Sequence, residues 1–175
     1  MQQVTKEERS AGGVVYRKIE GKYEFLLGKH SGYHKWVLPK GLIESGETQM
    51  EAAVREVGEE VGVEAQIVDL TPVKVIEYWY FADPDESGDT TRRVKKYQED
   101  PDFTKVPSRQ RVRIHKQVTY YLMELVSDSG APGWEMEDRA WVGYEEGKQL
   151  LTFPTELEVF TEAGKILKLG APAEI

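Results

Sequence analysis

Three glutamates stand close together, Glu56, Glu59 and Glu60. On an α-helix, spacings of three and four residues bring side chains onto one face, so these carboxylates would crowd one another. Like charges that close repel, and the arrangement costs stability unless a cation sits among them. A hard divalent ion such as Mg²⁺ takes oxygen ligands and suits such a cluster, with Mn²⁺ as the alternative. Mg²⁺ also keeps several waters and bridges readily to phosphate oxygens, so the cluster points to a phosphorylated substrate.

The neighbours of the three acids fit that chemistry. Arg55 is one turn from Glu59 and available to Glu47, so its guanidinium can orient a carboxylate through a bidentate bond. Gly41 would let the backbone approach a metal, making its carbonyl a candidate ligand. Gly58, inside the helix, costs ~1 kcal/mol relative to alanine. A glycine there would be explained if another segment, such as the Gly41 loop, packs closely against it.

The elements that must position these groups can be read from periodicity. Residues 47–61 carry Met50, Ala53, Val54, Val57 and Val61 at spacings of three and four, one face of an amphipathic helix. Ser45 and Thr48 are both candidate N-caps, and Gly62 is a candidate C-cap. Before the helix, residues 11–17 and 23–27 read as strands joined by a turn at Gly21-Lys22, and 35–38 as a short extended piece. After it, the β-branched and aromatic run 65–81 reads as one or two strands broken near Thr71-Pro72. Residues 117–126 are apolar on both faces, as in a buried central strand. Residues 139–142 read as a short strand, and 143–151 and 155–169 as helices. In the last of these, Leu157, Phe160, Ile166, Leu167 and Leu169 read as core. The expected fold is α/β, a mixed sheet sandwiched by helices in one domain over residues 1–175. A basic insertion at about 83–112 interrupts it.

The pattern from Gly41 to Val63 resembles the Nudix signature. Glycine is followed by five residues and Glu47, then seven residues and Arg55-Glu56. An aliphatic residue, any residue and Glu59-Glu60 come next, then any residue, Gly62 and an aliphatic. Every position matches, and an accidental match is rarer than about one in a million at ordinary residue frequencies. An acidic helix face that merely meets solvent would not need Gly41, Glu47, Arg55 and Gly62 at fixed offsets. The resemblance implies a Nudix α/β/α sandwich. It also implies a pyrophosphohydrolase acting on a nucleoside diphosphate linked to another moiety. On that basis Glu56, Glu59 and Glu60 are metal ligands with the Gly41 carbonyl, and Glu47 and Arg55 orient them. Glu59 is one candidate general base. Glu135 and Glu137 are candidates outside the box, of which Glu137 joins the expected catalytic set.

For the substrate, the segment Trp36-Val-Leu-Pro-Lys-Gly41 resembles the branch acting on diadenosine polyphosphates and diphosphoinositol polyphosphates, as does His115-Lys116-Gln-Val-Thr-Tyr-Tyr-Leu. Lys40, His115 and Lys116 are therefore expected to neutralise phosphate. Tyr33, Trp36, Tyr78, Tyr80 and Tyr97 are candidates for stacking on a base, with Tyr33, Trp36 and Tyr80 taken into the substrate set. A dinucleoside polyphosphate of the diadenosine tetraphosphate type is the expected substrate. The alternatives are a diphosphoinositol polyphosphate, a sugar nucleotide, an oxidised nucleoside triphosphate, or a sensing module that binds a nucleotide without cutting it. Degenerate boxes usually mark such modules, and this box is intact.

Composition bounds the partners. The net charge of −8 argues against general nucleic-acid binding. Yet residues 92–116 hold nine basic and three acidic side chains, locally about +6, which suits either a highly charged substrate or a solvated face. The absence of cysteine excludes thiolate chemistry and disulfides. No apolar run approaches the ~20 residues of a membrane span, and residues 1–9 lack the apolar core of a signal peptide, so the cytoplasm is the expected location. Composition leaves the oligomeric state open.

Overall fold

The computed structural model describes residues 5–82 and 112–170. Its elements run β1 (Thr5–Ile19), β2 (Lys22–His30), β3 (Trp36–Val37), β4 (Lys40–Leu42), α1 (Gln49–Val61), β5 (Val63–Ile67), β6 (Lys74–Ala82), β7 (Val112–Asp128), β8 (Met136–Gly143), α2 (Tyr144–Leu150) and α3 (Pro154–Ile166). The strands join in one sheet with the order β3-β2-β1-β7-β5; β4 pairs with β1, β6 with β7, and β8 with β2. The β1–β2 turn falls on Glu20-Gly21, one residue earlier than the sequence suggests, with both residues at positive φ. Two such residues match the right-handed twist of the flanking strands.

Packing divides the chain into two compact units, Ser10–Ile76 with Val118–Ile175, and Met1–Arg9 with Glu77–Gln117. The larger unit is layered. Adjacent residues of β2 face opposite sides, as strand geometry requires. Leu26 joins a core with Ala52, Ala53, Val57 and Val61 of α1 and Tyr121 and Met123 of β7. Phe25 turns the other way, onto Phe160 of α3 at 4.9 Å and Tyr144 of α2 at 6.1 Å. The sheet therefore lies between α1 and the C-terminal helices. Each large apolar side chain buried this way contributes roughly 1.5–3 kcal/mol.

Two details of α1 differ from its apolar pattern. Met50 and Val54 are 36% and 38% exposed, while Ala52 and Glu60 are buried. The buried face is rotated away from Met50 and Val54, and that rotation carries one carboxylate inward. In α3, Val159, Phe160 and Ala163 form the buried stripe together with Glu156, and Ile166 is exposed. The smaller unit has its own apolar group of Tyr80, Ala82 and Ile114, with Tyr78 and Val112 against it. Of the expected insertion, residues 83–111 lie outside the described residues.

Candidate active site

The start of α1 is set by Thr48. Its hydroxyl accepts the Glu51 N–H at 3.2 Å while the Glu51 carboxylate accepts the Thr48 N–H at 2.8 Å, a reciprocal capping box. The helix stops at Gly62, whose φ of 67° is left-handed. Between those ends, Arg55 organises the acids. Its Nε and Nη2 donate to the two oxygens of Glu47 at 2.7 and 3.0 Å. Nη1 donates to Glu56 at 2.8 Å and Glu59 at 3.2 Å, and Nη2 also donates to the Leu42 carbonyl of β4 at 2.9 Å. The hydrogen bonds from Arg55 hold the Glu47 carboxyl below the usual carboxylate range, and those to Glu47 are the main reason the guanidinium is raised above its own.

Gly41 lies opposite Ala11 in the β1–β4 pair. A Cβ built there would lie 2.1 Å from Cδ of Glu56 and 2.2–2.3 Å from its two oxygens, so glycine is what lets this carboxylate rest against β4. Glu60, 7% exposed, accepts the Lys40 N–H at 2.9 Å. Burial pushes the Glu60 carboxyl up to about 8 against the opposing pull of Lys40, and a hydrogen bond with Glu135 raises it further. Burial also raises Glu56, with the charges of Glu59 and Glu135 adding to it and Arg55 opposing.

Glu135 is thus the outside carboxylate that faces the cluster. Its backbone is fixed by Ser31, whose N–H and hydroxyl both donate to the Glu135 carbonyl at 2.9 Å. Gly133, two residues earlier, donates to the Glu60 carbonyl at 2.8 Å and has no room for a Cβ, which would lie 1.9 Å from the Glu59 carbonyl. Glu137 is not brought to the cluster. It pairs with Lys29 at 3.1 Å and His34 at 2.6 Å, and these bonds hold it below the usual carboxylate range. Gly58 is not closely packed either, since its Cβ would meet only the Val63 carbonyl at 3.5 Å.

The donor set suits a hard divalent cation: carboxylate oxygens crowd one another, the Glu56 and Glu60 carboxyls are both raised, and Arg55 and Lys40 are cations that oppose this. Among the described residues no three acids or histidines are already arranged as cation ligands. Arg55 draws Glu56 and Glu59 to itself, and side-chain rotation is what ligation would require.

The NUDIX domain model matches residues 6–163. The chain belongs to the Nudix family. It is 29% identical over 170 residues to a protein named as the mutator protein MutT4 of Mycobacterium tuberculosis, spanning 93% of this chain and 57% of that one. It is also 29% identical over 174 residues to the asymmetrical bis(5'-nucleosyl)-tetraphosphatase of Mus musculus, spanning 94% of this chain and 98% of that one. Its fold is similar to that of a C. elegans Ap4A hydrolase in a binary complex. That match has a TM-score of 0.64 at 23% identity and covers 92% and 98% of the two chains.

The remaining expected residues of this Nudix chain are distributed as follows. Trp36 is half-buried in β3, opposite Lys29 of β2 and bridged to Leu151. Tyr33 stacks on His30 at 4.0 Å and meets the edge of Phe153 at 5.7 Å. Phe153 carries no signal in the sequence, because a single aromatic between two predicted helices has no periodicity. Lys40 is not an open phosphate contact: its ammonium is 3.1 Å from Glu156, with side chains 11% and 4% exposed.

Tyr80, His115 and Lys116 belong to the smaller unit. Tyr80 is buried and donates its hydroxyl to Glu8 at 2.5 Å, so it offers no open face for stacking. Burial, then Glu8, raises that phenol above its usual range. Lys116 is 3.9 Å from Glu8, and His115 lies 2.7 Å from Glu7 and stacks on Trp79 at 4.4 Å. The His115 and Lys116 side chains expected to meet phosphate are therefore engaged with acids of β1. Tyr78 is half-buried, 6.2 Å from Tyr80, and Tyr97 lies outside the described residues.

Proposed function

We propose that this Nudix hydrolase is a Mg²⁺-dependent, or Mn²⁺-dependent, pyrophosphohydrolase of dinucleoside polyphosphates of the diadenosine tetraphosphate type. We take the chain as one domain with its basic insertion at about 83–112. The observation carrying the substrate class is the likeness to the mouse asymmetrical tetraphosphatase along 98% of that protein's length. The Trp36-to-Gly41 segment supports the same class.

Glu56, Glu59 and Glu60 with the Gly41 carbonyl would hold the cation. When bound, it supplies positive charge to phosphate oxygens and makes a water more acidic. Arg55 keeps Glu47, Glu56 and Glu59 in register. Glu135 is our candidate for the group that takes the proton of the attacking water, supported by its hydrogen bond to Glu60 and by the engagement of Glu137 elsewhere. Tyr33 and Phe153 offer aromatic surface for a base.

The experiment is a panel of dinucleoside polyphosphates, diphosphoinositol polyphosphates, sugar nucleotides and oxidised nucleoside triphosphates, incubated with Mg²⁺ or Mn²⁺ and resolved by chromatography. Asymmetric cleavage of the tetraphosphate is the expected outcome. Failure to turn over any dinucleoside polyphosphate would remove this substrate class.

A further inference from the structure

Glu156 is an acid on the buried stripe of a helix, 3% exposed. Burying a carboxylate is costly unless it is paired and hydrogen-bonded. Even a well-paired buried ion pair is often no more stabilising than apolar side chains of the same volume. Packing α3 therefore gives no reason for Glu156, and its partners supply one. It accepts the Leu38 N–H at 3.4 Å, the Lys40 ammonium at 3.1 Å and the Tyr120 hydroxyl at 3.3 Å. Two of these three partners come from the short segment that leads into Gly41.

The same segment is held at two further points. The Pro39 carbonyl accepts the Gly13 N–H at 3.1 Å, and a Cβ on Gly12 would lie 2.2 Å from that oxygen. The Lys40 N–H donates to Glu60. Lys40 thus joins two buried carboxylates, Glu60 of α1 through its backbone and Glu156 of α3 through its side chain.

We infer that Glu156 is a positioning residue for the carboxylate site. Acting through Lys40, it holds the Leu38-to-Gly41 segment so that the Lys40 amide meets Glu60 and the Gly41 backbone faces Glu56. The inference rests on the proposed role of Glu56, Glu59 and Glu60 as cation ligands. It assigns Lys40 to geometry, since the ammonium is already neutralised and enclosed.

The test is a double-mutant cycle on the full chain with Glu156→Gln, Lys40→Met and the pair. Glu156→Gln keeps the shape and removes the charge, its amide oxygen accepting the Leu38 N–H while its NH2 donates to the Tyr120 hydroxyl. Mn²⁺ binding is followed by electron paramagnetic resonance, beside kcat and KM on the best substrate of the panel. Each single variant is expected to weaken Mn²⁺ binding and lower kcat by about tenfold, the factor given by ~1.4 kcal/mol, with KM within about twofold. The double variant should be no worse than the poorer single. Additive losses, or wild-type Mn²⁺ binding and kcat in Glu156→Gln, would overturn the inference. So would a KM rise confined to Lys40→Met, which would make Lys40 a phosphate contact. Should Glu156→Gln fail to fold, Lys40→Met alone decides, because positioning lowers Mn²⁺ affinity at constant KM. Glu60→Gln is the control for the underlying reading. If it leaves Mn²⁺ binding intact, that reading falls and this inference with it; if only the Glu156 and Lys40 variants bind normally, this inference alone falls.

Discussion

Gly41→Ala is expected to damage catalysis much more than stability. The added Cβ would lie 2.1 Å from Cδ of Glu56, where ordinary contacts begin at 3.4 Å, so the carboxylate must retreat by about 1.3 Å. It can do so, because the clash is with the end of a flexible side chain and not with backbone. The move breaks the 2.8 Å hydrogen bond from Arg55. Losing one such partly exposed bond costs on the order of 1 kcal/mol, a Tm drop of about 2–4 °C in a chain of this size. A displacement of about 1 Å at the reacting centre, by contrast, can cost about 100-fold in rate. The assay is a thermal melt beside steady-state kinetics with Mg²⁺. A kcat within threefold of wild type would refute the placement of Glu56 against Gly41 as a requirement for activity. A Tm loss above about 10 °C would show that the backbone, and not the Glu56 side chain, absorbs the clash.

Gly58→Ala should behave oppositely: its Cβ meets only the Val63 carbonyl at 3.5 Å, so the helix gains up to ~1 kcal/mol, read as a raised Tm with activity retained. Gly62→Ala should lose more than about 2 kcal/mol in a denaturant titration, since its φ is 67° and its Cβ would lie 1.9 Å from the Ala131 carbonyl. Asp128 titrates below its usual range: burial pushes it up, but hydrogen bonds from Trp141, the Gly130 N–H and Arg139 outweigh that. Such a group stabilises the fold above its unfolded pKa and loses that contribution as pH falls through the folded one. The stability gap between wild type and Asp128→Asn should therefore be largest near neutrality and shrink on acidification, and a pH-independent gap would contradict the assignment.

Gly41, in β4, was legible only by its offset from Glu47; Glu47, Arg55, Glu56, Glu59 and Glu60 were legible because they sit within one helix and the turn before it. There, fixed spacing alone sets which side chains meet. Glu135 was legible only as one of two nearby acids. Its choice over Glu137 depends on Lys29 and His34, which occupy Glu137, and on Ser31, which fixes the Glu135 backbone. Glu156 left one faint trace, an acid in phase with Val159, Phe160 and Ala163 on a helix otherwise apolar on that face. The rotation of α1 that buries Glu60 and leaves Met50 exposed was invisible, because apolar spacing fixes a helix but not which edge of its stripe meets the sheet.

By itself the sequence determined which charged groups crowd together: a single helix sets Arg55, Glu56, Glu59 and Glu60 within about one turn by covalent spacing. Tertiary structure decided what those groups are held by. Glu135 reaches the cluster from the loop before β8, and Lys40 is turned to Glu156 on α3, over a hundred residues away along the chain. Such pairings depend on how strands and helices stack, and charge burial, not local pattern, decides which lysine finds which acid.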